Sequence, residues 1–140
     1  MKFIEELVVE EFLPTIRSLL AESLRNRGLT QREVADALGI SQSAVSKYAH
    51  GEVAHNERIA ADDRVVELVE RVADGLSTGD MSRVQALVEI EVLIRQLEDG
   101  DLLADIHDDA MPELAEADID FSVHDPDSRI RQTEQVRSSV

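Results

Sequence analysis

Between Leu29 and Glu52 the chain reads Leu-Thr-Gln-Arg-Glu-Val-Ala-Asp-Ala-Leu-Gly-Ile-Ser-Gln-Ser-Ala-Val-Ser-Lys-Tyr-Ala-His-Gly-Glu, and few local structures satisfy it. Thr30 followed three residues later by Glu33 is the start signal of a helix, each side chain closing the other's backbone N–H. Gly39 supplies a residue tolerant of positive φ where that helix must stop. Ser41 can cap a second helix, about Gln42 to Ala49, and Gly51 closes it. Ala35 is small where the second helix would cross the first. Val34, Leu38, Ile40, Val45 and Tyr48 are apolar where the pair must bury a common face, with Tyr48 at its edge. The stretch predicts two short helices locked at a tight turn.

Outside this unit the pattern is helical throughout. Apolar residues recur three and four apart, Gly and Pro are few, and strand signals are almost absent. A first helix is predicted over about Lys2–Phe12. Pro14 suits the start of a second, ending near Asn26 with Gly28 as a stop. After the connector His55-Asn56-Glu57, one helix is predicted over Arg58–Leu76, with Val65, Val66, Leu68, Val69, Val72 and Leu76 on its apolar face. Thr78-Gly79-Asp80 breaks it, and Asp80 or Ser82 can cap another helix up to Leu97. A shorter helix is read over Leu102–Ala110, then a turn after Pro112. From Asp118 the pattern decays into a mobile polar tail.

The charge is uneven. The net charge is -16, yet residues 15–58 hold six Lys/Arg against five Asp/Glu, while residues 59–140 hold seven against 21. The polar side of the second helix, Gln42, Ser43, Ser46 and Lys47, carries no acid. These residue types suit base edges: Gln can pair bidentately with adenine, and Lys can reach guanine or a phosphate. The unit is therefore read as a helix-turn-helix whose second helix enters the major groove of DNA. The helix start at Ser41 offers N–H groups to a phosphate, and the Tyr48 hydroxyl can reach another. Arg17, Arg25, Arg27 and Arg32 are either backbone-flanking cations or solubility charges.

On Leu29-Thr30-Gln31, Ala35, Gly39, Val45 and Gly51-Glu52, the stretch resembles the DNA-binding domain of the XRE (λ repressor/Cro-like) family of transcription factors. The resemblance implies an all-α, λ repressor-like domain over 14–76, preceded by an N-terminal helix (1–13). A C-terminal helical region (77–117), serving dimerisation or an effector, and the tail (118–140) follow it. It also implies that Gln31, beside Arg32, anchors to a phosphate, that Gln42 and Ser43 touch bases, and that Ser46 and Lys47 make contact one turn later. The whole chain is similar to a group of archaeal regulators. Longer ones carry a thiamine-phosphate synthase-like domain that senses a thiamine precursor; this sequence is too short to include it. That group often has cysteines near positions 103–107 and 119–122. None is present here, so no metal or redox role is expected there.

Twelve of the fourteen basic residues are Arg. A Lys-poor, acid-rich composition resembles the proteins of halophilic archaea, whose carboxylates hold water and cations while salt screens them over about 3 Å at 1 M; the alternative is an ordinary acidic bacterial protein. The absence of Cys suits a reducing cytoplasm. The start of the chain has neither a secretory pattern nor a span of about 20 apolar residues, so no membrane partner is expected.

The four His lack ligand spacing, and Asp62-Asp63 and Asp108-Asp109 read as solvated faces rather than cation sites. No phosphate loop, nucleophile elbow or acid/base constellation is present, so neither an enzyme nor a cofactor is expected. The expectation is a sequence-specific, homodimeric regulator acting on double-stranded DNA in the cytoplasm. Val84, Leu87, Val88, Leu93, Ile94 and Leu97 form its candidate dimer stripe, the N-terminal helix is the rival, and the effector is unknown. The alternative is an antitoxin-like or adaptor protein in which the motif only holds the fold.

Overall fold

The computed structural model describes residues 3–51 and 55–110, and all regular structure among them is helical. The helices are α1 (Ile4–Leu7), α2 (Leu13–Asn26), α3 (Gln31–Leu38), α4 (Gln42–Ala49), α5 (Glu57–Ala61), α6 (Asp63–Thr78), α7 (Arg83–Glu98) and α8 (Asp101–Ala110). The all-α architecture with its helix-turn-helix unit is as the sequence leads one to expect. The predicted turn after Pro112, the tail from Asp118 and Glu52 lie outside the described residues.

The N-terminal boundary is different. Pro14 does not begin a separate helix. A π-helical turn, Val8–Phe12, joins α1 to α2, and the Leu13 amide reaches back five residues to the Val8 carbonyl. A proline inside an ordinary helix collides with the carbonyl four residues before it. The wider turn relieves that crowding and lets the helix run on. Thr15, fully buried, donates its hydroxyl to the Glu11 carbonyl at 2.6 Å and accepts from the Asn56 amide at 2.8 Å. It thereby ties the widened turn to the start of α5.

The helix predicted over Arg58–Leu76 is also two. Asp62 takes an extended conformation (ψ 130°), and its carboxylate accepts from the Arg64 amide at 2.9 Å, making it the cap of α6. Burial pushes the Asp62 carboxyl up, but the hydrogen bonds from Arg64 and its charge outweigh this and hold it below its ordinary value. The acid read as a solvated charge is thus a structural one. Asn56 caps α5 in the same way, accepting from Arg58 and Ile59.

α2 is the axis of the fold, packing against α3, α4, α5 and α6. It buries Ile16, Leu20, Ala21 and Leu24 in one core with Val34, Val45, Ile59, Val65 and Val72. α7 packs on α6, and α8 turns back across α7 to α1, which puts Leu97, Leu103 and Ile106 in the same core as Leu7 and Phe12. Leu7, Val8 and Phe12 thus share one core with the helices that follow. Of the six residues expected on a dimer stripe, Leu93 and Leu97 are buried in the chain's own core and Ile94 is half buried. Leu93 and Leu97 are therefore taken up by the chain's own packing, where α8 lies against α7. Val84, Leu87 and Val88 are exposed. No helix among the described residues is long and apolar enough to cross a membrane.

Candidate DNA-binding face

Each end of α3 and α4 is fixed by a local device. Thr30 Oγ1 accepts from the Glu33 amide at 3.1 Å, and the Glu33 carboxylate accepts from the Thr30 amide at 3.0 Å. Those bonds, the backbone one first, hold the Glu33 carboxyl below its ordinary value of 4.5. The ionised group therefore stabilises the fold fully above that value, and the contribution fades as pH falls through the depressed one. Thr30→Ala is expected to cost about 1 kcal/mol, seen as a lower urea midpoint. The deficit of Glu33→Ala relative to wild type should be present at pH 7 and shrink toward pH 3.

α3 ends at Gly39, with φ 68°, and the Ile40 amide closes back onto the Ala35 carbonyl at 3.0 Å. A side chain at 39 would also run into the guanidinium of Arg83, the first residue of α7. Ser41 then caps α4, accepting from the Ala44 amide at 3.1 Å, and Gly51 follows the helix with φ 69°. Ala35 and Val34 on α3 and Val45 on α4 are buried. Leu38, Ile40 and Tyr48 are half buried and packed against the core.

This leaves the outward face of α4 defined. Gln42, Ser43 and Lys47 are exposed, and Gln42 and Lys47 make no hydrogen bond or ion pair with any described residue. Ser43 Oγ lies 3.2 Å from Ser41 Oγ. Ser46 is half buried, with its hydroxyl 3.2 Å from His50 Nδ1, which also lies 2.7 Å from the Ser46 carbonyl. Ser46 is thus engaged within its own helix, with His50 as its partner. Gln31 and Arg32 open α3, half buried and exposed respectively.

The basic residues near the motif sort into two groups. Arg25 donates to the Leu29 carbonyl at 3.0 Å, Arg27 pairs with Glu70 at 3.1 Å and donates to Ser23, and Arg58 pairs with Asp109. These hold the fold together. Arg17, Arg32 and Lys47 are exposed and carry no such interaction among the described residues. Nor do the described residues bring together a group of three or more His, Asp or Glu that could hold a metal ion. The contact of Arg83 with the turn at Gly39 has no local sequence signal, since 44 residues separate them.

A family model described as helix-turn-helix matches residues 20–60, from the second half of α2 into α5. No curated protein and no solved structure matches the chain. The chain carries a helix-turn-helix domain, a unit that suggests a DNA-binding regulator.

Proposed function

We propose that the chain is a sequence-specific transcriptional regulator that reads the major groove with α4, acts as a homodimer and works in the cytoplasm. The observation that carries this reading is the outward face of α4. Gln42, Ser43 and Lys47 stand exposed on a helix whose opposite side is pinned by buried Val45, and no acid lies among them. In a chain of net charge -16 such a face is unusual. Gln42 is the base-reading residue, Ser43 its neighbour, and Lys47 a guanine or phosphate contact one turn later. Gln31, Arg32, Ser41 and Tyr48 face the backbone, where contacts set register without reading sequence.

One such unit covers few base pairs, and two-fold pairing places two recognition helices about 34 Å apart on successive turns of the duplex. The surface that suits this pairing is narrower than the sequence implied. Val84, Val88 and Val92, four apart on α7, form an exposed stripe at 69%, 55% and 49%. The Lys-poor, acidic composition supports a cytoplasm of high salt, as in the halophilic archaea it resembles.

After selection of a preferred duplex, Gln42→Ala is expected to flatten base preference by about 1–3 kcal/mol at one position, roughly 5- to 150-fold. Gln31→Ala should weaken all duplexes alike. Equal affinity of the wild-type protein for every duplex in fluorescence anisotropy would falsify the reading.

A further inference from the structure

A cleft of about 440 Å³ lies between the helix-turn-helix unit and the C-terminal helices. Sites for small organic molecules span roughly 300–1,000 Å³ and are mostly apolar with a few placed polar groups. This one has that make-up. Leu38 from α3, Leu76 from α6 and Leu87 and Ile90 from α7 are among its walls, and its single charged residue is Arg83. No carboxylate lines it, although acids outnumber bases 30 to 14 in the chain.

Arg83 calls for an explanation. It makes no ion pair or side-chain hydrogen bond among the described residues. It opens α7, where the helix dipole is itself positive and disfavours a cation. It is not held there to cap anything, because Ser82 and Gln85 cap α7 with each other at 3.1 and 2.9 Å. A cation left unpaired at the mouth of an apolar cleft is complementary to one occupant chemistry: an apolar chain or ring that ends in a carboxylate.

We propose that this cleft binds a small amphipathic carboxylate, its apolar part against Leu38, Leu76, Leu87 and Ile90 and its carboxylate on the Arg83 guanidinium. A bidentate arginine–carboxylate pair at the rim of an apolar site provides orientation as well as affinity. Because Arg83 also lies over the turn at Gly39, a ligand that draws the guanidinium toward the cleft changes what packs on the joint between α3 and α4. That makes the cleft an effector site, a description that rests on the proposed function; the binding itself does not. Arg83, Leu87 and Ile90 line the cleft while Val88 and Val92 do not, and Val84 borders both, so the ligand site adjoins the proposed dimer stripe at Val84.

The test is a calorimetric titration of the full chain with decanoate and with decanol, in molar KCl and without DNA. Saturable one-to-one binding of decanoate, at least tenfold tighter than decanol and weakened at least tenfold by Arg83→Gln, is the expected result. Leu87→Glu, a change at an exposed position, should abolish it while leaving the melting temperature within a few degrees. Decanol binding as tightly as decanoate overturns the proposal, as does decanoate binding that neither variant alters. Absence of decanoate binding, with Leu87→Glu dissociating a dimer in sedimentation equilibrium, assigns the cleft to a second copy and overturns it too. No result of this titration bears on DNA recognition.

Discussion

Replacing Phe12 with Ala is expected to destabilise the whole fold by about 3–5 kcal/mol, the usual cost of emptying a fully buried aromatic site. That is a fifth or more of the roughly 5–15 kcal/mol that holds a typical domain together, and it should lower Tm by on the order of 10 °C. Phe12 is 0% exposed and stands at the end of the π-helical turn, in the same core cluster as Leu103 and Ile106 of α8 and Ile16 of α2. Its loss should therefore reach the helix-turn-helix unit. Tyr48 on α4 gives the readout, because it is the chain's single tyrosine and there is no tryptophan. Urea unfolding followed by Tyr48 fluorescence should show its midpoint shifted as far as the midpoint from helical circular dichroism. If Tyr48 keeps the wild-type midpoint while only part of the helical signal is lost, the segment around Phe12 unfolds independently of the helix-turn-helix unit.

What could be read from sequence, and what could not, divides by the range of the forces. The Thr30–Glu33 box, the Ser41 cap and the left-handed Gly39 each involve groups within five residues of one another. Local chain geometry decides them, so the motif was legible. Pro14 has two local solutions, a helix start or a widened turn. The choice falls to the burial of Leu7, Val8 and Phe12 in a core completed by α8, some ninety residues later. Asp62 looked like one more acid because its capping role depends on where α5 ends. On α7 a helical wheel identifies apolar positions but not who covers them. The return of α8 turned Leu93 and Leu97 into core and left Val84, Val88 and Val92 outside. The seating of Arg83 on Gly39 is a meeting of distant segments and has no counterpart in any local pattern.

DNA affinity should fall only gently with salt, by no more than about 40-fold per bound protomer between 50 and 200 mM KCl, with binding still measurable near 1 M. Affinity falls with a slope of about -0.9 per neutralised phosphate, so a repressor with six to ten phosphate contacts loses roughly 10³–10⁵ over that range. The supply of cations here is smaller. Of the six basic residues in 15–58, Arg25, Arg27 and Arg58 are committed to the Leu29 carbonyl, Glu70 and Asp109. Arg17, Arg32 and Lys47 remain, which limits the slope to about -3 per protomer if all three reach phosphates. Glu33 and Asp36 are exposed on α3, close in sequence to the proposed phosphate contacts at Gln31 and Arg32. Carboxylates brought near a phosphate backbone take up cations as the complex forms, and that uptake offsets the release from DNA. Affinity at several KCl concentrations on one fixed duplex measures the balance. A slope steeper than about -3 per protomer would mean that Arg25, Arg27 or Arg58 leaves its intramolecular partner to bind DNA, or that a cation from beyond residue 58, such as Arg83 over the turn at Gly39, joins them. In that case recognition would rest on bulk attraction rather than on the few groups that α4 presents.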